Sequence, residues 1–119
     1  MLQVRNIRYE DMHFKDVYWP LQLLGHYCPF PCHTPDGNVS TLFANISFER
    51  VRGSSSQRSL LPFTQTTVAQ FKCTPYTPCA NITLREVTLT DKAGHAGTLE
   101  CDNVASVSID NASSPHACA

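Results

Sequence analysis

Residues 81–89 read Asn81-Ile82-Thr83-Leu84-Arg85-Glu86-Val87-Thr88-Leu89. The stretch alternates apolar and polar residues up to Leu84, skips one step, and then alternates again. Alternation with a period of two indicates a β-strand, and the skip indicates that the chain bends and begins a second short strand. The stretch therefore predicts two short strands joined by a bend.

The same pattern occurs twice earlier in the chain, in residues 6–14 and 45–51, and each copy begins with Asn-Ile. A weaker fourth copy starts at Asn103-Val104, with Val107 and Ile109 following. Asn suits a turn because it tolerates the left-handed region and its side chain bonds to nearby backbone. A bent strand pair that recurs along the chain predicts the rungs of a β-solenoid.

Two other folds compete with the solenoid. One is an antiparallel sandwich. Such a fold needs tight hairpin turns, but the sequence has a single dipeptide typical of them, Asp36-Gly37, and it lies in a long loop. The other is a small secreted protein of unrelated fold held by disulfides. Helix is disfavoured, because eight prolines and many β-branched residues are spread along the sequence without a 3.6-residue period. Residues 53–57 and 93–97 are expected to form polar loops.

Composition excludes several classes of protein. The chain has 119 residues, which is one small domain or part of a larger one, and 42% hydrophobic residues exclude a disordered tail. Nine Lys and Arg against ten Asp and Glu give a net charge of −1. Such a balance argues against nucleic acid and against an anionic membrane surface as partners. No apolar run approaches the roughly 18 residues of a membrane span.

Cysteines and glycosylation motifs point to the secretory route. The chain has six cysteines and four Asn-X-Ser/Thr motifs, at Asn38, Asn45, Asn81 and Asn111. Residues 1–15, however, carry charge throughout and lack the apolar core of a signal peptide. We therefore expect an extracellular protein whose true start lies before Met1.

With these residues in hand, the chain is similar to the C-terminal part of glycoside hydrolase family 28, the polygalacturonase family. Residues 4–12 resemble the strand pair that follows the family's Arg-Ile-Lys motif, and residues 21–28 resemble its apolar strand ending in Tyr-Cys. Residues 45–53 resemble the next rung. Residues 73–84 and 101–118 resemble a short cysteine loop with its following rung and the terminal disulfide of fungal members.

This resemblance implies a right-handed parallel β-helix that hydrolyses α-1,4-linked galacturonan in pectin with inversion. An inverting glycosidase needs one carboxyl group as acid and another as base. The family's Asn-Thr-Asp, Asp-Asp, Gly-His-Gly and Arg-Ile-Lys elements do not occur in residues 1–119. We therefore expect no catalytic residue here, little activity of the chain alone, and catalytic rungs upstream of Met1. The complete protein is expected to be a monomer. The alternative is a non-catalytic carbohydrate-binding or structural solenoid domain.

One substrate contact follows from the resemblance. Tyr27 matches a family tyrosine that lines the leaving-group side of the cleft and touches a bound galacturonate. A ring with a hydroxyl suits a sugar, which has an apolar face and polar edges. The competing interpretation is a half-buried tyrosine that packs beside Cys28.

Six cysteines permit fifteen disulfide pairings. Proximity and the family resemblance favour Cys28–Cys32, Cys73–Cys79 and Cys101–Cys118. A zinc site is the alternative, but neither Cys28-x3-Cys32-His33 nor Cys73-x5-Cys79 has the two-residue spacing of common structural zinc sites. We expect no metal and no cofactor.

A few other residues have a chemistry of interest. Glu10 and Asp11 are adjacent, so regular strand geometry predicts that they point to opposite faces. Asp16 precedes the strand that leads to Tyr27 and is either near the cleft or an exposed loop carboxylate. Trp19 is either a stacking platform for sugar or a packed residue at the start of a strand. The five histidines are scattered and have no catalytic partner signature: His13, His26, His33, His95 and His116.

Overall fold

A computed structural model describes residues 2–25, 40–59, 66–115 and 117–118. Those residues form seven strands and no helix, which confirms the all-β expectation. None of them forms a helix that is long and apolar enough to cross a membrane. The strands are β1 (Leu2–Val17), β2 (Leu21–Leu24), β3 (Thr41–Ser55), β4 (Thr67–Lys72), β5 (Ala80–Thr90), β6 (Thr98–Asp102) and β7 (Val107–Ile109).

The strands form two parallel sheets, ordered β1-β3-β5-β7 and β2-β4-β6. Consecutive strands lie in different sheets, so each strand pairs with the strand two places along the chain. The repeat sets the register, because Ile7 lies opposite Ile46, which lies opposite Ile82. Parallel pairing of every named strand rules out the antiparallel sandwich.

The fourth copy of the repeat starts later than its sequence indicates. Ile82 pairs with Val107 rather than Val104, and the Asn81 backbone N–H donates to the Ser106 hydroxyl at 2.8 Å. Ser106 thus occupies the place that Asn takes in the other copies. Asn103 instead ends β6 at a left-handed bend, where its side-chain amide donates to the Cys73 carbonyl at 3.0 Å.

Two rows of left-handed residues bend the long strands. The first row is Asn6, Asn45 and Asn81, with φ between 56° and 59°, as the sequence predicts for Asn. The second row lies five residues further on, at Asp11, Arg50 and Glu86, with φ between 52° and 56°. Each left-handed residue interrupts the alternation of side chains, which explains the skipped step in the sequence pattern.

The core lies between the two sheets. Both halves of each bent strand contribute to it, and Phe48 of β3 stacks on Phe71 of β4 with ring centroids 6.1 Å apart. The fully buried aliphatic residues are Ile46, Val51, Val68, Ile82, Leu84, Val87, Leu89 and Leu99. Apolar packing of this kind holds the bends and sheets in one register.

The structure bears on the expected loop at residues 53–57 and on the expected disulfides. The predicted polar loop at residues 53–57 is wrong in its first half, because β3 continues through Ser55 by pairing with β1 and β5. Cys73–Cys79 and Cys101–Cys118 are bonded, in agreement with the expected pairing. The Cys28–Cys32 pair, Tyr27 and Asn38 lie outside the described residues.

Candidate functional site

β2 ends at Leu24, three residues before Tyr27 in the sequence, so its sheet is the described part of the fold next to Tyr27 along the chain. In β2, Leu21 and Leu23 are buried and Gln22 between them is exposed, so alternate positions point outward. Register places Gln22 beside Gln70 and Gln70 beside Glu100. We call the residues on this side of the sheet the outer β2-β4-β6 face: Gln22, Gln70, Lys72, Glu100 and Asp102. Of these, Gln70 is buried.

A polar row crosses this face. The Gln22 amide donates to Gln70 Oε1 at 2.6 Å, and the Gln70 amide reaches Glu100 Oε2 at 3.5 Å. Lys72 Nζ lies 3.7 Å from Glu100 Oε1, with 47% of the lysine side chain exposed. The carboxylate of Glu100 is therefore already shared between an amide and an ammonium group.

A shallow hollow of about 450 Å³ lies where these strands end, lined in part by Lys72, Pro75 and Asp102. Gly25 brings the chain to the same edge, since its N–H donates to the Lys72 carbonyl at 2.6 Å. A Cβ atom at Gly25 would sit 3.0 Å from Cys73 Cα, so glycine permits this close approach. Tyr27 follows two residues later in the chain.

Among the described residues, the hollow contains one cation, Lys72, and one carboxylate, Asp102. The half-exposed Lys72 ammonium lies 3.7 Å from the Glu100 carboxylate, so an anionic ligand would have to compete with Glu100 for it. Asp102 also lines the hollow, and the neighbouring Thr74 hydroxyl and Asn103 amide already have protein partners. Within the described ranges, no cluster of three His, Cys, Asp or Glu side chains could hold a metal ion.

Sequence reasoning did not single out Gln22, Gln70, Lys72 or Glu100. A signal was present, because Gln22, Gln70 and Glu100 each stand between two apolar residues in a short strand. Alternation alone does not reveal that these residues share a row. The row depends on strand register, because Gln22 and Gln70 are 48 residues apart in sequence and Gln70 and Glu100 are 30 apart.

The outer side of β1, β3 and β5 carries a separate ion-pair network. Arg50 binds Asp11 at 2.6 Å and Glu10 at 2.9 Å, and Arg8 binds Glu49 at 2.6 Å. The expectation that Glu10 and Asp11 point to opposite faces is wrong, because the left-handed backbone of Asp11 breaks the alternation. The hydrogen bond from Arg50 lowers the pKa of Asp11.

Asp110 has a structural role next to this network. Its carboxylate accepts a hydrogen bond from the Ser113 hydroxyl at 2.6 Å and from the Glu86 backbone N–H at 3.2 Å. These bonds, led by the one from Ser113, lower the pKa of Asp110. The left-handed bend at Glu86 is thereby tied to the segment after β7.

The remaining candidates are dispersed. Asp16 is exposed at a left-handed bend, where its backbone N–H donates to the Ser54 hydroxyl at 3.0 Å. Trp19 is half-buried and meets Tyr18 edge to face, with ring centroids 5.5 Å apart. His13 and His95 are exposed, and His26, His33 and His116 lie outside the described residues. None of the described candidates joins the outer β2-β4-β6 face.

The glycosylation motifs occupy two kinds of site. Asn45 and Asn81 are exposed at the first row of bends, and Asn45 Nδ2 donates to Asn6 Oδ1 at 3.0 Å. Asn111 is exposed in a turn after β7. Attachment of glycans at these positions stays a prediction.

Comparison with known proteins points to one family. Residues 1–118 match the model for glycosyl hydrolases family 28. A polygalacturonase of Gossypium barbadense is 27% identical over 106 residues, which cover 89% of this chain and 24% of the relative. A probable exopolygalacturonase B of Emericella nidulans is 30% identical over 105 residues, which cover 86% and 22%. The chain spans less than a quarter of the length of these curated relatives. No solved structure matches it significantly.

Proposed function

The chain belongs to glycosyl hydrolases family 28, and from that premise we propose that it forms part of a pectin-degrading enzyme. The proposed reaction is hydrolysis of α-1,4-linked galacturonan with inversion. The family match over nearly the whole chain supports this assignment, together with relatives that are named polygalacturonases and exopolygalacturonases. The proposed substrate is pectin or polygalacturonate.

The proposed architecture is a right-handed parallel β-helix, of which these strands are the C-terminal rungs. Alternation of consecutive strands between two parallel sheets supports it, as does the fixed register of the repeat. Parallel strands of one sheet are joined by right-handed crossovers in nearly all proteins. In this proposal the bend at Asp11, Arg50 or Glu86 divides each long strand into two sides of a coil, and the β2-β4-β6 sheet provides the third side.

In this proposal the outer β2-β4-β6 face and Tyr27 form one wall of the substrate cleft. The observation that carries it is the pairing of Leu24 with Lys72 in parallel register, because Leu24 precedes Tyr27 by three residues in the sequence. In this proposal the Lys72 ammonium exchanges its pairing with Glu100 for a galacturonate carboxylate, and the Tyr27 ring packs on the sugar. Lys72 and Tyr27 would therefore bind and orient the sugar without taking part in proton transfer.

The catalytic carboxylates are proposed to lie on further rungs that pair with β1. Within the described residues, β1 has a strand neighbour on one side, β3, and the ring of Tyr9 on β1 is 41% exposed. An open strand edge with exposed apolar side chains is suited to continued pairing. The acid and base needed for inversion would then stand beside the wall that this chain provides.

We also propose that the protein works outside the cell. Two disulfides in the described residues, Cys73–Cys79 and Cys101–Cys118, agree with an oxidising compartment. The glycosylation motifs agree with the same route.

The proposed function is tested on the native gene product purified from culture fluid. We expect a deglycosylated mass about four times that of the chain, by proportion to the relatives, and release of reducing ends from polygalacturonate. Tyr27→Phe should raise KM or lower kcat, whereas the control Tyr76→Phe, in the Cys73–Cys79 loop, should not. A native protein of the chain's own size that binds galacturonan without cleaving it would instead indicate a binding domain.

A further inference from the structure

A second charged surface lies on the other sheet. After the second row of bends, Met12, Val51 and Val87 point inward, so the residues that follow each of them point outward. His13, Arg52 and Thr88 are aligned across β1, β3 and β5. Together with Lys15, Ser54 and Thr90 they line one hollow, and we call these six residues the basic face: His13, Lys15, Arg52, Ser54, Thr88 and Thr90.

The basic face differs from its surroundings in charge. It combines two permanent cations, one histidine and three hydroxyls, and two exposed acidic residues, Asp16 and Glu86, border it. Neither Lys15 nor Arg52 forms an ion pair with any described residue, unlike Arg8, Arg50 and Arg85 in the preceding segment. Unpaired exposed cations on a rigid sheet attract anions.

The surface next to the basic face is shaped rather than flat. Two adjoining hollows of about 620 and 310 Å³ share His13, Arg52 and Thr88 in their walls. The larger hollow also reaches Asp11 and Glu86 at the bends, but the Asp11 carboxylate is held by Arg50. Neighbouring strands lie about 4.8 Å apart and alternate residues of a parallel strand about 6.6 Å apart, so the donors form a regular grid. Such a grid fits an extended polymer with repeated carboxylates better than a single small anion.

An exposed tyrosine follows β1 at one end of this grid. Tyr18 is 60% exposed and follows Lys15 by three residues. Its backbone carbonyl accepts hydrogen bonds from the Ser55 hydroxyl at 3.0 Å and the Gln57 amide at 2.6 Å, so it is fixed beside the end of β3. An exposed ring with a hydroxyl gives a sugar both an apolar surface and a polar contact.

We propose that the basic face and Tyr18 form a second, non-catalytic binding surface for polyuronate chains, on a different sheet from the cleft wall. Lys15 and Arg52 bind carboxylates, the hydroxyls of Ser54 and Thr88 bind sugar hydroxyls, and Tyr18 packs on a ring. The choice of a polyuronate rests on the proposed function; the anion-binding character rests on the charge and geometry of the face. Bound polymer would be held near the cleft without being cleaved there.

The test measures polygalacturonate binding by the full 119-residue chain at low salt, using affinity electrophoresis. Arg52→Gln should weaken binding about fivefold, the loss expected for one exposed charge contact of about 1 kcal/mol. Arg5→Gln is the matched control, since Arg5 is an exposed arginine on β1 that donates to Gln3. We expect it to change binding less than twofold. Equal thermal midpoints of the variants show that both fold like the parent.

A second comparison identifies the ligand class and separates the two proposals. Tyr18→Ala should weaken binding of polygalacturonate but not of polyglutamate, which carries carboxylates without sugar rings. The basic face would be overturned as a polyuronate site if Tyr18→Ala weakened binding of both polymers equally, or if Arg52→Gln had no effect on binding. If Lys72→Gln weakens binding while Arg52→Gln does not, the polymer binds at the cleft wall and not at the basic face. If the parent chain binds no polyuronate, this inference fails, and activity of the native protein still decides the proposed function.

Discussion

At the scale of single residues, the bends depend on side chains that tolerate a left-handed backbone. Asn45 has a φ of 56° and its amide bonds to Asn6 in the neighbouring copy of the repeat. Asn is among the few residues that adopt this conformation readily. The Asn-Ile pairs therefore mark positions where the backbone, rather than a ligand, selects the residue.

Asn45→Ala should destabilise the chain by about 1–2 kcal/mol, because alanine is strained in the left-handed region. Asn45→Gly should lose less, since glycine removes the strain and forfeits only the amide bond. Urea unfolding measures both. Ser47→Ala is the control, because it removes the same glycosylation motif while keeping Asn45. Equal stability of the alanine and glycine variants would show that backbone strain is not the cause.

At the scale of elements, close packing between sheets and loops positions the strands. The backbone of Gly97, just before β6, packs closely against the fully buried side chain of Val68 in β4. A Cβ atom at Gly97 would lie 2.3 Å from Val68 Cγ2, which is far inside normal contact. The approach of β6 to β4, and hence the row from Gln70 to Glu100, depends on this missing side chain.

Gly97→Ala should destabilise the chain by about 1–3 kcal/mol, the usual cost of overpacking a filled core. The double variant Gly97→Ala with Val68→Ala should lose less stability than the sum of the two single losses, since Val68→Ala removes the clash with the new methyl group. Thermal melting of the four proteins forms the cycle. Strict additivity would mean that the two residues do not contact each other in solution.

At the scale of the whole molecule, ionised carboxylates join segments that are distant in sequence. Asp11 ties β1 to β3 through Arg50, and Asp110 ties the segment after β7 to β5 through Glu86. The pKa of each carboxyl group is lowered in the folded chain. Their stabilising contribution is therefore present above the unfolded pKa, about 3.9, and is lost as the pH falls through the folded pKa.

The thermal midpoint of the chain should therefore fall as the pH drops from about 5 to 3. Asp110→Asn keeps an oxygen that accepts from Ser113 and Glu86 but no longer titrates, so its midpoint should change less across that interval. At pH 5 the variant should be the less stable protein, because the neutral amide accepts weaker hydrogen bonds than a carboxylate. Identical pH profiles for parent and variant would show that Asp110 does not contribute.

Much of the fold was predictable because its signals are local. Period-two alternation predicts the strands, Asn marks the first bend of each copy, and the short spacing of Cys73 and Cys79 favours their bond. The second bend was predictable as a skipped step, but its residues were not recognisable, since Arg50 and Glu86 are unusual in the left-handed region. The family resemblance supplied the fold class and function that local patterns leave open.

The sequence by itself determined the strands, the first row of bends and the family of this protein, because those features reside in neighbouring residues and in ordered motifs. Tertiary structure decided that Ser106 replaces Asn103 in the repeat and that Arg50 gathers Glu10 and Asp11. It also decided that Lys72 stands beside Glu100, and Arg52 beside His13 and Thr88. The ion-paired and aligned residues are separated by 28 to 40 residues, and the pairing of Glu10 and Asp11 with one arginine also depends on a local backbone reversal. Their alignment is set by loop lengths and core packing, which fix the register between parallel strands and which no local pattern encodes.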